Sequence, residues 1–391
     1  LLRQLADDPA ESDQNRDYLA MRAAIVRALA EDGWRVRILA RRDPVDPLWR
    51  GVDLQVVQGD LDDEAALKRL CDGAEAVIHT AGLVKARSRA AFDAVNADGA
   101  RRVAVAASGA PHVVLVSSLA AREPHLSHYS ASKRAGETAM AEVLGGRLTV
   151  LRPCAIYGPG DREMLPVFQA AATAPWLPLL DERARVTMIH VEDAARQTVA
   201  VAAAPSTGRT AVLCDARTEG YSWRELMTAA AQASGRRPRF APVPKVLVHA
   251  LGITNDFTAL LGATPMLTSA KARELLHPDW SVASQELCGG APPARHDLES
   301  RTAVLGHGPS AVVGCRSTYC SPTADRLART PSHSPVAPWP IAIQPSSDCS
   351  SRVMGTPAAG QPRAVSRTWV VMALIAFAVG PYFASFGTDR L

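Results

Sequence analysis

Apolar and polar residues alternate over residues 20–300 in the blocks that a parallel α/β sheet requires. Short apolar runs bounded by turn residues predict β-strands at 35–40, 54–58, 76–79, 112–117 and 148–152. The segments between these runs have helix-forming composition, and they predict α-helices at 22–31, 64–71, 90–107 and 131–143. Because strands and helices follow one another in turn, the pattern indicates an α/β fold built on a parallel sheet.

The alternation is less regular in residues 161–300. The sequence predicts strands at 186–190 and 210–214 and helices at 191–203 and 222–233. Segments that carry extra helices between sheet strands often form a smaller lobe over the cleft. The chain is therefore predicted to contain a main domain at 20–160, followed by a lobe with returning sheet elements at 161–300.

The two ends of the chain depart from this pattern. Residues 1–19 are polar and lack glycine, where an apolar strand and a Gly-rich loop should precede the first helix. Residues 301–366 are rich in Pro and Ser and are predicted to be disordered or a linker. Residues 367–391 contain an apolar run long enough to cross a bilayer. That run predicts either a transmembrane helix or an apolar tail unconnected with function.

Composition excludes some functional classes. A chain of 391 residues that is 47% hydrophobic has room for a sizeable core, and its net charge of +4 is spread thinly. Without a block of Lys and Arg, nucleic-acid binding is not expected. The seven cysteines lack zinc-ligand spacing, so no metal site is predicted. The N-terminus has no secretory signal, and the expected location is the cytoplasm, with membrane tethering through the C-terminal tail as the alternative.

Candidate chemistry centres on Tyr129 and Lys133. On the predicted helix they lie four residues apart, so both side chains can face the same cleft. A nearby ammonium favours the phenolate, and we expect it to lower the pKa of the tyrosine enough for proton transfer to or from a substrate oxygen. Alone, the pair is a weak signal, and a chance pairing on the surface is the better explanation. Its support is the set of polar residues at strand carboxyl ends, where open parallel sheets bind ligands: Asp60, His79, Thr80, Ser117, Ser118 and Arg152.

Several ordered motifs together resemble the extended short-chain dehydrogenase/reductase family, of the NAD(P)-dependent epimerase/dehydratase type. They are Gly59-Asp60-Leu61, His79-Thr80-Ala81-Gly82, Val95-Asn96-x-x-Gly99, Val116-Ser117-Ser118, Tyr129-x-x-x-Lys133, Leu151-Arg152-Pro153, Tyr157-Gly158-Pro159-Gly160 and His190-Val191-Glu192-Asp193. The resemblance covers residues 20–300. It implies a Rossmann-type doubly wound parallel sheet with a small C-terminal substrate lobe, and NAD(P) binding at 20–160.

The resemblance also implies roles for individual residues. Tyr129 would be the general acid/base, Lys133 would lower its pKa and hold the nicotinamide ribose, and Ser118 would hydrogen-bond the reacting oxygen. Asp60 and Leu61 would flank the adenine, although Asp60 could equally be a helix N-cap. The other expected cofactor contacts are Thr80, Ala81, Gly82, Ser117 and Pro153.

Arg41 and Arg42 bear on the choice of cofactor. They follow the second strand of the family pattern, where an acidic residue would bind a ribose hydroxyl and an arginine accommodates a 2′-phosphate. NADP(H) is therefore favoured over NAD(H), the alternative being two solvated loop arginines. Residues expected to line the substrate lobe, unless they are structural hydrogen-bonding groups, are Tyr157, Arg183, Arg185 and His190.

Two departures from the family pattern affect the functional prediction. The glycines of the family's phosphate loop would fall at Arg16, Leu19 and Arg22, which predicts a truncated or frame-shifted N-terminus or an altered mode of cofactor binding. Ser118 is followed by Leu119 and Ala120 instead of an acid pair, so dehydration is disfavoured. The favoured function is an oxidoreductase acting on a small-molecule carbonyl or alcohol. A nucleotide-sugar epimerase and a non-catalytic nucleotide-binding or scaffold protein are the alternatives, and a homodimer is compatible with all three.

Overall fold

The computed structural model describes residues 17–41, 51–86, 88–161, 163–260, 267–298 and 370–373. The described helices are α1 (Asp17–Glu31), α2 (Glu64–Cys71), α3 (Arg89–Asp93), α4 (Ala100–Ala106), α5 (His128–Leu144), α6 (Leu165–Thr173), α7 (Val191–Ala203), α8 (Trp223–Gln232), α9 (Lys245–Leu260) and α10 (Ser269–Leu275). The described strands are β1 (Val36–Ala40), β2 (Leu54–Gln58), β3 (Ala76–His79), β4 (His112–Val116), β5 (Leu148–Pro153), β6 (Ala155–Tyr157), β7 (Leu177–Leu179), β8 (Arg185–Val186), β9 (Met188–His190), β10 (Thr210–Leu213), β11 (Phe240–Pro242), β12 (Asp279–Trp280) and β13 (Val370–Ala373).

A seven-stranded sheet with the order β10-β5-β4-β3-β13-β1-β2 forms the centre of the fold. Every pairing within it is parallel, so the carboxyl ends of all seven strands lie along one edge. The predicted α/β fold with a parallel sheet is confirmed. Short apolar strands form the sheet because β-branched and other apolar side chains are buried on both of its faces.

The strand β13 occupies the central place where the sequence lacked a first strand. Val371 is in register with Arg37 of β1 on one side and with Val77 of β3 on the other. The interpretation of residues 367–391 as a transmembrane helix is therefore wrong for 370–373, which are extended. The rest of that segment, and residues 301–366, lie outside the described residues. None of the described helices combines the length and apolarity needed to cross a bilayer.

Helices cover both faces of the sheet. On one face α1 and α7 pack over it, and Ile25, Leu29 and Val199 are buried in that core. On the other face α2, α4 and α5 contribute the buried side chains of Leu67, Val103 and Met140. A third core, centred on Tyr221 and Leu226, holds together the lobe that includes α6 and α8.

The predicted element bounds hold closely in the sheet and less well elsewhere. The bounds at 54–58, 64–71, 76–79 and 191–203 match the structure. The first helix starts at Asp17 instead of residue 22, and the strand predicted at 186–190 is divided between β8 and β9. The helix predicted over 90–107 is interrupted by a π-helical turn at Ala94–Gly99. Such turns are rare and frequently lie at functional sites.

Candidate active site

Tyr129 and Lys133 lie on the first turns of α5, beside the carboxyl end of β4. The helix begins where the Ser127 side chain accepts a hydrogen bond from the Ser130 backbone N–H at 2.9 Å, which is an N-cap. Lys133 is buried, and its Nζ donates to the carbonyl oxygen of Val116 at 3.0 Å. The ammonium is thereby fixed at the end of β4, next to the two serines that follow that strand.

Tyr129 and Ser118 are the half-exposed members of this group. The ring of Tyr129 packs against Phe92 with centroids 6.2 Å apart. The Ser118 Oγ accepts a hydrogen bond from the Ala120 backbone N–H at 3.2 Å and caps the short 3₁₀ helix at 119–122. Its hydroxyl proton is not used in that bond, so Ser118 can still donate to a ligand oxygen.

A buried ionic cluster lies behind these residues, one turn further along α5. Glu137 accepts from Arg152 through both carboxylate oxygens, at 2.9 and 2.6 Å, and from the Ser117 hydroxyl at 2.6 Å. All three residues are buried. The cluster ties α5 to the ends of β4 and β5 and so holds the helix that carries Tyr129 and Lys133. The sequence analysis missed Glu137, although its spacing of four residues from Lys133 places it on the same helical face.

The π-helical turn supports α5 from the opposite side. Asn96 accepts from the Leu83 N–H at 2.7 Å and donates to the Leu83 carbonyl at 3.0 Å and to Ser132 Oγ at 2.8 Å. One amide thus joins the loop after β3 to α5. Close approach is possible because Gly136 lacks a side chain, since a Cβ there would lie 2.1 Å from the Asn96 carbonyl oxygen. These contacts give Asn96 a structural role between the loop after β3 and α5.

His79 lies at the end of β3 and is fully buried. Burial, together with the positive charges of Lys133 and Arg22, lowers the pKa of His79 to about 3, so its ring is neutral. Its Nδ1 and the Thr80 hydroxyl make no hydrogen bond to any described residue. These polar atoms lie at the sheet edge beside the small residues Ala81 and Gly82, which let a ligand approach the backbone closely. This arrangement fits the nicotinamide half of a dinucleotide.

The residues expected to meet the adenine are placed along the same edge. Leu61 is fully buried against Gly99, and the Asp60 carboxylate accepts from the Asp62 N–H at 2.9 Å. The alternative interpretation of Asp60 as an N-cap is wrong, because Asp63 caps α2 instead.

Arg41 lies at the end of β1, with Nε 3.7 Å from the Asp60 carboxylate. Arg42 lies outside the described residues. At the far end of the same edge, Ser117 and Pro153 are buried at the ends of β4 and β5.

Within the described residues, α1 begins without the phosphate loop of the family, as the missing glycines predicted. Residues 17–22 are already helical, and Arg22 is 3% exposed within that helix. Arg16 and the residues before it lie outside the described part of the chain. The residues present therefore fit the nicotinamide half of a dinucleotide, while the described residues include no glycine turn for its pyrophosphate.

The four predicted substrate residues fall into two groups. Tyr157 and His190 are buried and stack edge to face with ring centroids 5.3 Å apart. Arg183 and Arg185 instead line an open cleft of about 470 Å³. Its remaining lining residues are Thr218, Glu219, Pro278, Asp279, Ser281, Val282 and Ala283.

An ionisable pair that the sequence analysis missed lies at the end of β10. Asp215 is buried and accepts a hydrogen bond from the Tyr221 hydroxyl at 2.7 Å. Burial raises the pKa of Asp215 to about 6. The hydrogen bonds from Tyr221 and from the Arg217 backbone lower the pKa and offset only part of this rise. Asp215 could have been predicted as a site residue from its position after a strand, which is the pattern that identified Ser117 and Asp60.

Comparison with known proteins adds to this geometry. The family model of the NAD dependent epimerase/dehydratase family matches residues 23–214. Ceramide reductase from Caulobacter vibrioides (strain NA1000 / CB15N) is 50% identical over 270 residues, which are 68% of this chain and 84% of that protein.

Solved structures of low identity share the fold. UDP-glucuronic acid 4-epimerase from Bacillus cereus in complex with NAD superposes with a TM-score of 0.55 at 13% identity, covering 76% of this chain and 96% of that one. MoeE5 in complex with UDP-glucuronic acid and NAD superposes with a TM-score of 0.53 at 19% identity, covering 72% of this chain and 93% of that one. Both likenesses confirm the Rossmann-type architecture.

Proposed function

The chain belongs to the NAD-dependent epimerase/dehydratase family, and from that premise we propose that it is a carbonyl reductase using Tyr129, Lys133 and Ser118. The observation that carries this proposal is the position of the Lys133 ammonium, 3.0 Å from the Val116 carbonyl at the end of β4, on the helix that bears Tyr129. Membership in the family establishes an NAD(P)-dependent enzyme, and the choice of reduction and of these three residues is our proposal.

Reduction of a carbonyl adds a hydride to carbon and a proton to oxygen. The nicotinamide ring, when bound, supplies the hydride. The proton comes from the Tyr129 hydroxyl, and the Lys133 ammonium stabilises the phenolate that remains. The Ser118 hydroxyl donates to the substrate oxygen and orients it toward Tyr129. Leu119 and Ala120, which follow Ser118, have no group that transfers protons, and this supports reduction over dehydration.

The proposed cofactor-binding set follows the sheet edge. Lys133 would hold the nicotinamide ribose, and Thr80, Ala81 and Gly82 would approach the dinucleotide backbone. Ser117 and Pro153 would support the nicotinamide end from β4 and β5. Asp60 and Leu61 would lie by the adenine, and Arg41 and Arg42 would bind a 2′-phosphate, so we propose NADPH as the preferred reductant. Replacing Arg41 with alanine should lower kcat/KM for NADPH and leave kcat/KM for NADH unchanged.

We propose a long-chain amide lipid with a ketone as the substrate. The relative that is 50% identical over most of its length is a ceramide reductase. A ceramide has an amide, a primary alcohol and a secondary alcohol next to the carbon that bears the amide nitrogen. A hydride reduces a ketone far more readily than an amide, so the reducible form is the ketone that corresponds to that secondary alcohol. In support, α9 exposes Val246, Leu247, Leu251 and Ile253, each at least 50% exposed, and an apolar surface of this extent indicates contact with a lipid or another apolar partner.

The direct test compares substrates with purified protein. NADPH oxidation should occur with an N-acyl α-amino ketone carrying two alkyl chains, and not with UDP-glucose or UDP-glucuronic acid. Interconversion of nucleotide sugars without net cofactor oxidation would favour an epimerase instead. Failure to bind NADPH or NADH would favour a non-catalytic protein.

The proposed residues are tested with matched variants. Tyr129→Phe should lower kcat by roughly 10²- to 10⁴-fold while the melting temperature stays unchanged. Ser118→Ala and Ser88→Ala each remove a side chain that accepts from a helix backbone N–H at 3.2 Å. Only Ser118→Ala should lower kcat. Equal activity losses in the two serine variants would show that Ser118 acts only as a cap.

A further inference from the structure

A second group of ligating side chains lies away from Tyr129, where α7 meets the coil that follows residue 290. It consists of His190, Glu192 and His296, whose donor atoms all lie within 4.8 Å of one another. His190 ends β9, Glu192 is in the first turn of α7, and His296 is contributed by a coil about one hundred residues further along the chain. We propose that these three residues bind a divalent transition metal, with zinc as the best fit.

The distances define which atoms face the centre. The Glu192 carboxylate oxygen lies 3.8 Å from His190 Nδ1 and 3.7 Å from His296 Nε2. Zinc binds imidazole nitrogen and carboxylate oxygen at about 2.0–2.2 Å, so ligands around one ion lie roughly 3.4 Å apart. A contraction of a few tenths of an ångström brings the pairs that include Glu192 to that spacing. The donor nitrogens of the two imidazoles lie within 4.8 Å of each other and would have to approach by up to about 1.4 Å.

The outer shell has the arrangement that metal-binding histidines require. Asp193 Oδ2 lies 3.0 Å from His296 Nδ1, so the Nδ1–H donates to the carboxylate and Nε2 is left with its lone pair facing Glu192. The same carboxylate oxygen accepts the backbone N–H groups of Arg295 and His296 at 3.0 and 2.9 Å. A carboxylate that fixes the tautomer and ring orientation of a histidine raises its basicity as a ligand. Asp193 is fully buried, so this carboxylate is a fixed part of the site.

Charge and access are consistent with a cation at this place. The Arg196 guanidinium pairs with Asp193 Oδ1 at 2.7 Å, and this pairing offsets its repulsion of a metal ion. Glu192 supplies a further negative charge, and its side chain is 52% exposed, so an ion can enter from solvent. The long contact of 3.4 Å from the Glu192 N–H to His190 Nδ1 is the hydrogen bond that a metal would replace.

The proposed ion would fasten the 290s coil to α7 and to the loop after β6. The imidazoles of His190 and His296 pack with ring centroids 4.5 Å apart and planes tilted by 44°, and a Cβ on Gly158 would lie 2.8 Å from His190 Nε2. Two His and one Glu fill three of the four positions of a tetrahedral zinc, and water completes the set. This site was not predicted from the sequence, because its ligands come from two distant segments and include no cysteine.

Zinc binding to metal-stripped full-length protein tests the proposal. Competition with a chromophoric chelator should give one zinc per chain. Zinc at a hundredfold excess over its dissociation constant should raise the melting temperature by roughly 5 °C. Substitution with Co²⁺ should give the intense visible absorption of a four-coordinate ion with histidine ligands. These readouts do not depend on activity.

Matched variants distinguish the site from unspecific binding. Glu192→Gln and His296→Asn each remove one ligand at a position that reaches the surface, and both should abolish the stoichiometric zinc and the rise in melting temperature. Glu219→Gln and His249→Asn remove an exposed carboxylate and an exposed imidazole elsewhere and should change neither. The proposal is overturned if wild type binds no stoichiometric zinc, or if the ligand variants retain it.

Discussion

Removing the Glu137 carboxylate tests whether the buried cluster holds α5, the helix that carries Tyr129 and Lys133. In Glu137→Ala the guanidinium of Arg152 stays buried between α5 and β5 without its two carboxylate bonds. The Ser117 hydroxyl also loses the acceptor that lies 2.6 Å away. The side chains of Glu137 and Arg152 are only 7% and 10% exposed, so water replaces little of what is lost.

The expected loss follows from this burial. Breaking a buried ion pair by removing one partner costs about 3–5 kcal/mol, because an uncompensated charge remains in the interior. An unsatisfied hydroxyl adds about 1 kcal/mol or more. Allowing for relaxation around the site, we expect a loss of roughly 4 kcal/mol in the free energy of unfolding. Glu137→Ala/Arg152→Met should recover most of this loss, because no charge is then left buried without a partner.

Urea denaturation followed by far-UV circular dichroism measures the loss. The control lies on the same helix, because Glu142 pairs with Arg101 at 2.8 Å with side chains 59% and 54% exposed. Surface pairs of this kind contribute about 0–1 kcal/mol, so Glu142→Ala should leave the urea midpoint almost unchanged. If Glu137→Ala costs no more than Glu142→Ala, or if adding Arg152→Met makes it worse, the proposed support of α5 is refuted.

Three further predictions concern other parts of the fold. Gly136→Ala would stabilise an ordinary helix, but here the new Cβ meets the Asn96 carbonyl. We therefore expect the variant to lose more than about 1 kcal/mol in the free energy of unfolding and to have a lower kcat. An unchanged melting temperature would contradict this prediction. Asp215 has a folded-state pKa raised to about 6 from 3.8, so its contribution to stability is complete below about pH 4 and disappears as the pH rises through about 6. Asp215→Asn should remove this decline, which is at most about 3 kcal/mol, and identical pH–stability curves would refute the shift. Val371→Pro removes a backbone N–H from the central strand β13. It should lower the free energy of unfolding, measured by urea titration, by about 3 kcal/mol. No change would show that β13 contributes little to stability.

The sequence predicted the parts of the fold that depend on local patterns. Short apolar runs with turn residues gave β2 and β3, and the spacing of Tyr129 and Lys133 placed both on one helix beside β4. The π-helical turn escaped prediction because nothing in the composition of 90–107 distinguishes it from an α-helix. The central strand β13 also escaped, because pairing between residues 371 and 37 is a long-range event that leaves no local signal. The ionic cluster around Glu137 depends in the same way on three elements meeting in space.

The central position of β13 has a consequence for how the protein is made. During synthesis α1 to β10 leave the ribosome well before residue 373, so β1 and β3 must wait with the facing edges of both strands unpaired. Open parallel edges of this kind recruit other strands and promote aggregation. The described sheet can therefore close only after residues 370–373 have left the ribosome, and until then the facing edges of β1 and β3 need protection from other strands.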